Sequence, residues 1–119
     1  MDYALLDIAG RILFGGYFLW NGITHFKDYR SYAGYAAHRG VPMPTQAVLA
    51  SGALLLLGGA GILLGMYWRL ALICIIAFLV PVTYFMHAFW KESDPQARSG
   101  EKIAFLKNVA LIGAALLLF

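Results

Sequence analysis

The chain has 119 residues, room for one domain, and 61% of them are hydrophobic against 13% charged. Soluble domains carry about 25% charged residues; with a mean hydropathy of +0.72, this chain has too much apolar surface to hide from water, and its expected solvent is lipid. The net charge of +3 comes from Lys and Arg spread between apolar runs, which fits membrane topology and excludes a nucleic-acid surface.

The N-terminus reads MDYALLD, acidic where a secretion signal is positive, so the first apolar run is expected to be a permanent span. A bilayer core of about 30 Å takes roughly 20 apolar residues in a helix, and residues 4–26 supply the first such run. Asp7 and Arg11 stand one turn apart near its start and are expected to pair. Asn21 and His25 stand one turn apart near its end. In the next segment, KDYRSYAGYAAHRGVPMP, Asp28 is placed to cap a short helix over 29–39 whose Tyr29, Tyr32 and Ala36 share a face. Gly40 suits its C-terminal end, and Pro42 and Pro44 stop it. Tyrosines beside Arg30 and Arg39 suit the headgroup layer, and an interfacial helix is the expectation.

Residues 46–66 form the second run, with Gly61 and Gly65 as a GxxxG pair. Gly15, Gly16 and Gly22 in the first run and Ala110 and Ala114 in the last also permit close helix packing, expected within the monomer. The third run, 68–90, holds the only cysteine, Cys74, expected as a small buried hydrophobe. Its end, FLVPVTYFMHAFWKESD, contains Thr83 and His87 one turn apart and Pro81, expected to kink the helix and open space. The fourth run, 103–119, carries Lys107 and Asn108 about a turn inside. The expected fold is all-α: four transmembrane helices and one interfacial helix.

Lys27, Arg30 and Arg39 in the first loop and Lys91, Arg98 and Lys102 in the third place both loops in the cytoplasm and both termini outside. This topology brings Asn21, His25, Thr83, His87, Lys107 and Asn108 to similar depth, as a candidate ligand-binding cluster. Buried polar groups face the bundle interior and need partners, so the same residues also read as interhelical glue. A metal site is not expected: two histidines are too few, and the acids Glu92, Asp94 and Glu101 lie in the third loop. No Ser or Cys stands with a His–carboxylate pair, so no catalytic residue is assigned.

GRILFGGYFLWNGITHF (10–26), YAAHRGVPMP (35–44), LLLLGGAGILLG (54–65) with YWR after it, and HAFW and FLKN (87–90 and 105–108) together resemble the DoxX family of small four-helix bacterial membrane proteins. The matching positions are Arg11, Asn21, Gly22, His25, Gly40, Pro42, His87, Lys107 and Asn108; where many relatives read GLxK, this chain has GITH, with His25 in place of a lysine. The resemblance implies an inner-membrane protein linked to quinone or sulfur redox chemistry, since the family takes its name from a subunit of a thiosulfate–quinone oxidoreductase. No flavin, haem or iron–sulfur signature is present, so quinone is the one cofactor this reading calls for, and a soluble or membrane redox protein would exchange the electrons. A scaffold that docks such a partner, or assembles with copies of itself, is the alternative. A small exporter is a third, weakened because no glutamate lies inside any of the four runs.

Overall fold

The computed structural model of the chain describes residues 3–119. They form α1 (Tyr3–Lys27), α2 (Tyr29–His38), α3 (Pro44–Leu64), α4 (Trp68–Met86) and α5 (Pro95–Leu118), with one 3-10 turn, Phe89–Lys91, between the last two. α3 packs on α1, α2 and α4, and α5 packs on α4, while α5 reaches α1 through the Lys107–Tyr17 hydrogen bond, across an α1–α5 seam. Phe18 of α1, Leu55 and Ile62 of α3, Leu72, Ile75 and Leu79 of α4 and Ala115 of α5 form the core. Large apolar side chains also face outward on all four long helices, among them Leu13, Leu57, Leu70 and Ile103. Such a surface is unfavourable in water and suits lipid. Among the described residues, two helices, α3 and α4 extended to Lys91, are long and apolar enough to cross a membrane.

Glycine sets how closely α1 approaches α3. A Cβ on Gly15 would lie 2.7 Å from the Leu63 amide nitrogen and 2.9 Å from the Gly59 carbonyl oxygen. Neither backbone atom can move without moving its helix. Of the expected GxxxG pair, Gly61 rests against Ala71 of α4, whereas Gly65 ends α3 with φ 69°. Gly40 likewise follows α2 with φ 84°, and its N–H donates to the Ala37 carbonyl; a left-handed residue just past a helix end favours glycine.

Two helix ends lie four or more residues from the sequence expectation, and one expected cap is absent. α4 stops at Met86 instead of 90, where Arg39 Nε donates to Phe85 O (3.4 Å), the carbonyl that the Phe89 N–H would take in a further turn; Nη2 reaches Ala88 O (3.5 Å), which also accepts the Lys91 N–H of the 3-10 turn. α5 begins at Pro95 instead of 103, because Asp94 Oδ2 accepts the Ala97 N–H at 2.9 Å and Pro95 opens the first turn. Asp28 does not cap α2 with its side chain. Its N–H donates to Thr24 O and its carbonyl accepts from Tyr32, so the chain passes from α1 into α2 with few orphan donors.

Candidate functional site

α2 covers an apolar cavity of about 260 Å³ at one end of the bundle. His25 of α1, Tyr32 and Ala36 of α2, Val48 and Ser51 of α3, and Phe78, Pro81 and Phe85 of α4 contribute to its wall. Proline has no N–H for the carbonyl one turn earlier, and that residue, Ala77, also lines the cavity.

His25 is the cavity's one ionisable imidazole. Its Nδ1 lies 2.7 Å from the backbone carbonyl of Asn21. A carbonyl only accepts, so Nδ1 carries the proton, and in the neutral ring Nε2 is then an acceptor. Tyr32 and Phe78 hold the ring edge-on at centroid distances of 4.9 and 5.7 Å. The Tyr32 hydroxyl donates to Thr24 Oγ1 (3.2 Å), and Thr24 donates to the same Asn21 carbonyl (2.9 Å). The Asn21 side chain turns back to Tyr17 O at 2.8 Å. His25 is therefore fixed in tautomer and in orientation.

The other expected residues lie elsewhere. Thr83 is buried, with its hydroxyl on Leu79 O at 2.6 Å. His87 Nδ1 meets Glu101 Oε2 at 2.9 Å, and Glu101 Oε1 accepts from Tyr35 OH at 3.3 Å, which ties α2 and α4 to α5. Beside this chain of bonds, Arg39 Nη1 meets Glu92 Oε1 at 2.5 Å. Lys107 Nζ donates to Tyr17 OH at 3.1 Å across the α1–α5 seam, and Asn108 is buried one residue further on. At the far end of α1, Asp7 and Arg11 pair at 3.3 Å. The six candidates thus do not form one cluster: Asn21 and His25 lie together at the α2 end, His87 at the α2–α4–α5 junction and Lys107 on the seam, while Thr83 bonds within α4 and Asn108 is buried in α5. Asn21 and His25 are brought together; His25, His87 and Lys107 each find a partner outside the six.

Tyr32, Arg39 and Glu101 were visible in the sequence as an interfacial tyrosine, a loop cation and a loop acid, but their partners, and the place of Ser51 in the cavity wall, emerge only in three dimensions. The signal for Glu101 was the Asp94–Pro95 pair, a helix start that the polarity of residues 96–102 concealed. Burial, then the charge of Glu101, raises the Tyr35 phenol above its usual value. A phenol raised on folding adds stability below its unfolded pKa, about 10, and loses it as pH climbs through the higher folded value. Glu101→Gln is expected to bring the Tyr35 titration down, read spectrophotometrically as the difference from Tyr35→Phe. An unchanged titration would mean that the Tyr35–Glu101 bond does not persist in solution.

The sequence profile of the DoxX family matches residues 6–88, from the first turns of α1 to just past the end of α4, and the chain belongs to that family. All the residues around the cavity under α2 fall inside the match, whereas Glu101, Lys107 and Asn108 in α5 fall outside it. No curated protein and no solved structure matches the chain.

Proposed function

We propose that α1, α3, α4 and α5 span the bacterial inner membrane, that α2 lies at its cytoplasmic face, and that the cavity beneath α2 binds a quinol-type amphiphile. Four spans are supported by the lengths of α1 and α5, 25 and 24 residues, enough to cross about 30 Å of hydrocarbon. Lys27, Arg30, Arg39, Lys91, Arg98 and Lys102 gather at the α2 end, against Arg11 and Arg69 at the other, which supports the orientation.

The observation that carries the ligand reading is the hydrogen bond from His25 Nδ1 to Asn21 O. It leaves Nε2 as an acceptor in a cavity whose other polar groups are the hydroxyls of Tyr32 and Ser51, so a matching ligand is an apolar ring that offers an O–H. A hydroquinone has that hydroxyl; the oxidised quinone has only carbonyl acceptors, so it could engage His25 only as the imidazolium and otherwise has the Ser51 hydroxyl as its donor. The chain would hold the reduced form; on its two-electron oxidation His25 Nε2 would accept one of the two protons, the second would leave to water at the cytoplasmic face, and both electrons would pass to a redox partner.

The test is saturation binding of a short-chain quinol and its quinone to purified protein in nanodiscs. The quinol is expected to bind more tightly than the quinone, and His25→Ala to weaken it at least tenfold, about 1.4 kcal/mol. His87→Ala is expected to lower thermal stability while leaving quinol affinity within twofold. Binding unchanged by His25→Ala would refute the ligand reading and favour the scaffold alternative, which the engagement of His87, Glu101 and Arg39 in structural bonds already supports.

A further inference from the structure

The α1–α5 seam opens sideways as a groove of about 470 Å³ lined by Gly10, Leu13, Phe14, Tyr17, Lys107 and Leu111. An adjoining groove that shares Gly10 and Phe14 continues toward Arg11 and Trp68. The lining is apolar except for Lys107 and Tyr17, level with one another. Lys107 donates to the Tyr17 oxygen, so the phenol hydrogen remains free to donate, as do the other ammonium hydrogens. Two donors 3.1 Å apart thus face one apolar trough. Among the described residues the ion pairs are Asp7–Arg11, Arg39–Glu92 and His87–Glu101, and Lys107 belongs to none of them.

Depth narrows the counter-charge. Tyr17 is ten residues from the end of α1 at Lys27, about 15 Å along the axis, which is mid-span if α1 crosses the bilayer. A charged group there is costly unless paired. The described carboxylates of this chain lie toward the helix ends and the connecting segments, so a second copy brings no acid to this level. A phospholipid phosphate stays at the headgroups. A long-chain carboxylic acid, by contrast, sheds its charge on protonation and reaches the midplane. The groove volume lies within the range of small-molecule sites, about 300–1,000 Å³, and is narrow for a helix about 10–12 Å across.

We propose that this seam is a lateral binding site for a long-chain carboxylic acid, the carboxylate on Lys107 and Tyr17 and the acyl chain along Gly10 and Phe14. The proposal rests on α1 and α5 lying in lipid, as argued above, and is independent of the cavity under α2.

The experiment is electron paramagnetic resonance of nitroxide-labelled stearic acid with the protein in phosphatidylcholine nanodiscs. The expected result is a saturable, motion-restricted signal for the acid and none for its methyl ester. Lys107→Met is expected to weaken binding at least tenfold, and Lys107→Arg to retain it. A Cβ at Gly10 would meet nothing within 4 Å, so Gly10→Leu folds and fills the trough, and is expected to abolish binding without removing a charge. His25→Ala leaves it unchanged. Equal signals from acid and ester, or binding that survives both Lys107→Met and Gly10→Leu, would overturn the site. A separate arm follows the fluorescence of Trp20, exposed on α1, with Trp68 and Trp90 replaced by Phe. If phosphatidylcholine labelled in mid-chain fails to quench it, the membrane reading and the site fall together. Quenching without a preference for acid over ester overturns the site alone.

Discussion

Gly15→Leu is expected to prevent folding, while Gly16→Leu, one residue along the same helix, leaves the protein folded. The difference lies in what each Cβ would meet. At Gly15 it would press on the Leu63 nitrogen and the Gly59 oxygen, both backbone, whereas at Gly16 nothing lies within 4 Å. Overpacking a core costs about 1–3 kcal/mol when side chains can shift. Here the obstacle is the neighbouring helix itself, and α1 would have to leave α3, the helix that also carries α2 and α4. Whole-protein stability is only about 5–15 kcal/mol, so losing that contact consumes most of it. Thermal unfolding in detergent reads the pair directly. Similar melting temperatures for the two variants would mean that α1 and α3 are not in backbone contact.

Arg39→Ala is expected to be the most damaging loss of a single charge. The Arg39 side chain is 9% exposed and that of Glu92 28%. The guanidinium also reaches the carbonyls of Phe85 and Ala88, at the point where α4 has ended. Removing one partner of a buried pair costs about 3–5 kcal/mol. Glu92 keeps some water, which places the expected cost near 2 kcal/mol. The consequence should be local: Arg39 fastens the end of α2 to α4, so amide exchange should rise across residues 29–38 before it rises in α3. Replacing both partners, Arg39→Met with Glu92→Leu, should recover part of the stability, since the uncompensated acid goes too. Uniform exchange through α2 in Arg39→Ala would show that α2 is held by its apolar face on Val48 alone.

The apolar runs made the four long helices legible, because burial in lipid and burial in a core both demand continuous hydrophobic sequence. Gly40, Pro42 and Pro44 likewise announced the end of α2 through backbone chemistry that acts locally, although Pro44, read only as a stop, also opens α3 two residues before the expected start. The end of α4 was not legible. It depends on Arg39, 46 residues before Phe85 in the chain, and no window around Met86 contains that information. The start of α5 was written in Asp94 and Pro95, but its first turns are too polar for lipid and hydropathy assigned them to a loop. The candidate site suffered from both effects. Asn21 and His25 share one helix, so their spacing sufficed to join them. His87 and Lys107 were grouped with them by depth, and depth does not specify which side of a helix a residue occupies. Because α5 starts at Pro95 instead of 103, Lys107 also lies level with Tyr17, about two turns of α1 from His25. His87 turns to Glu101 of α5 and Lys107 to Tyr17 of α1, and neither belongs to the wall of the cavity that His25 lines.

The central claim is that the cavity beneath α2 is where a quinol-type ligand sits. The most direct measurement is photolabelling of the protein in nanodiscs with a photoreactive quinol analogue, with attachment sites read by mass spectrometry. The account predicts labels on Tyr32, Val48 or Phe78, suppressed by excess unlabelled quinol and lost in His25→Ala. Labels confined to Tyr17 and Leu111 of the α1–α5 seam, or labelling that excess quinol does not suppress, would contradict it.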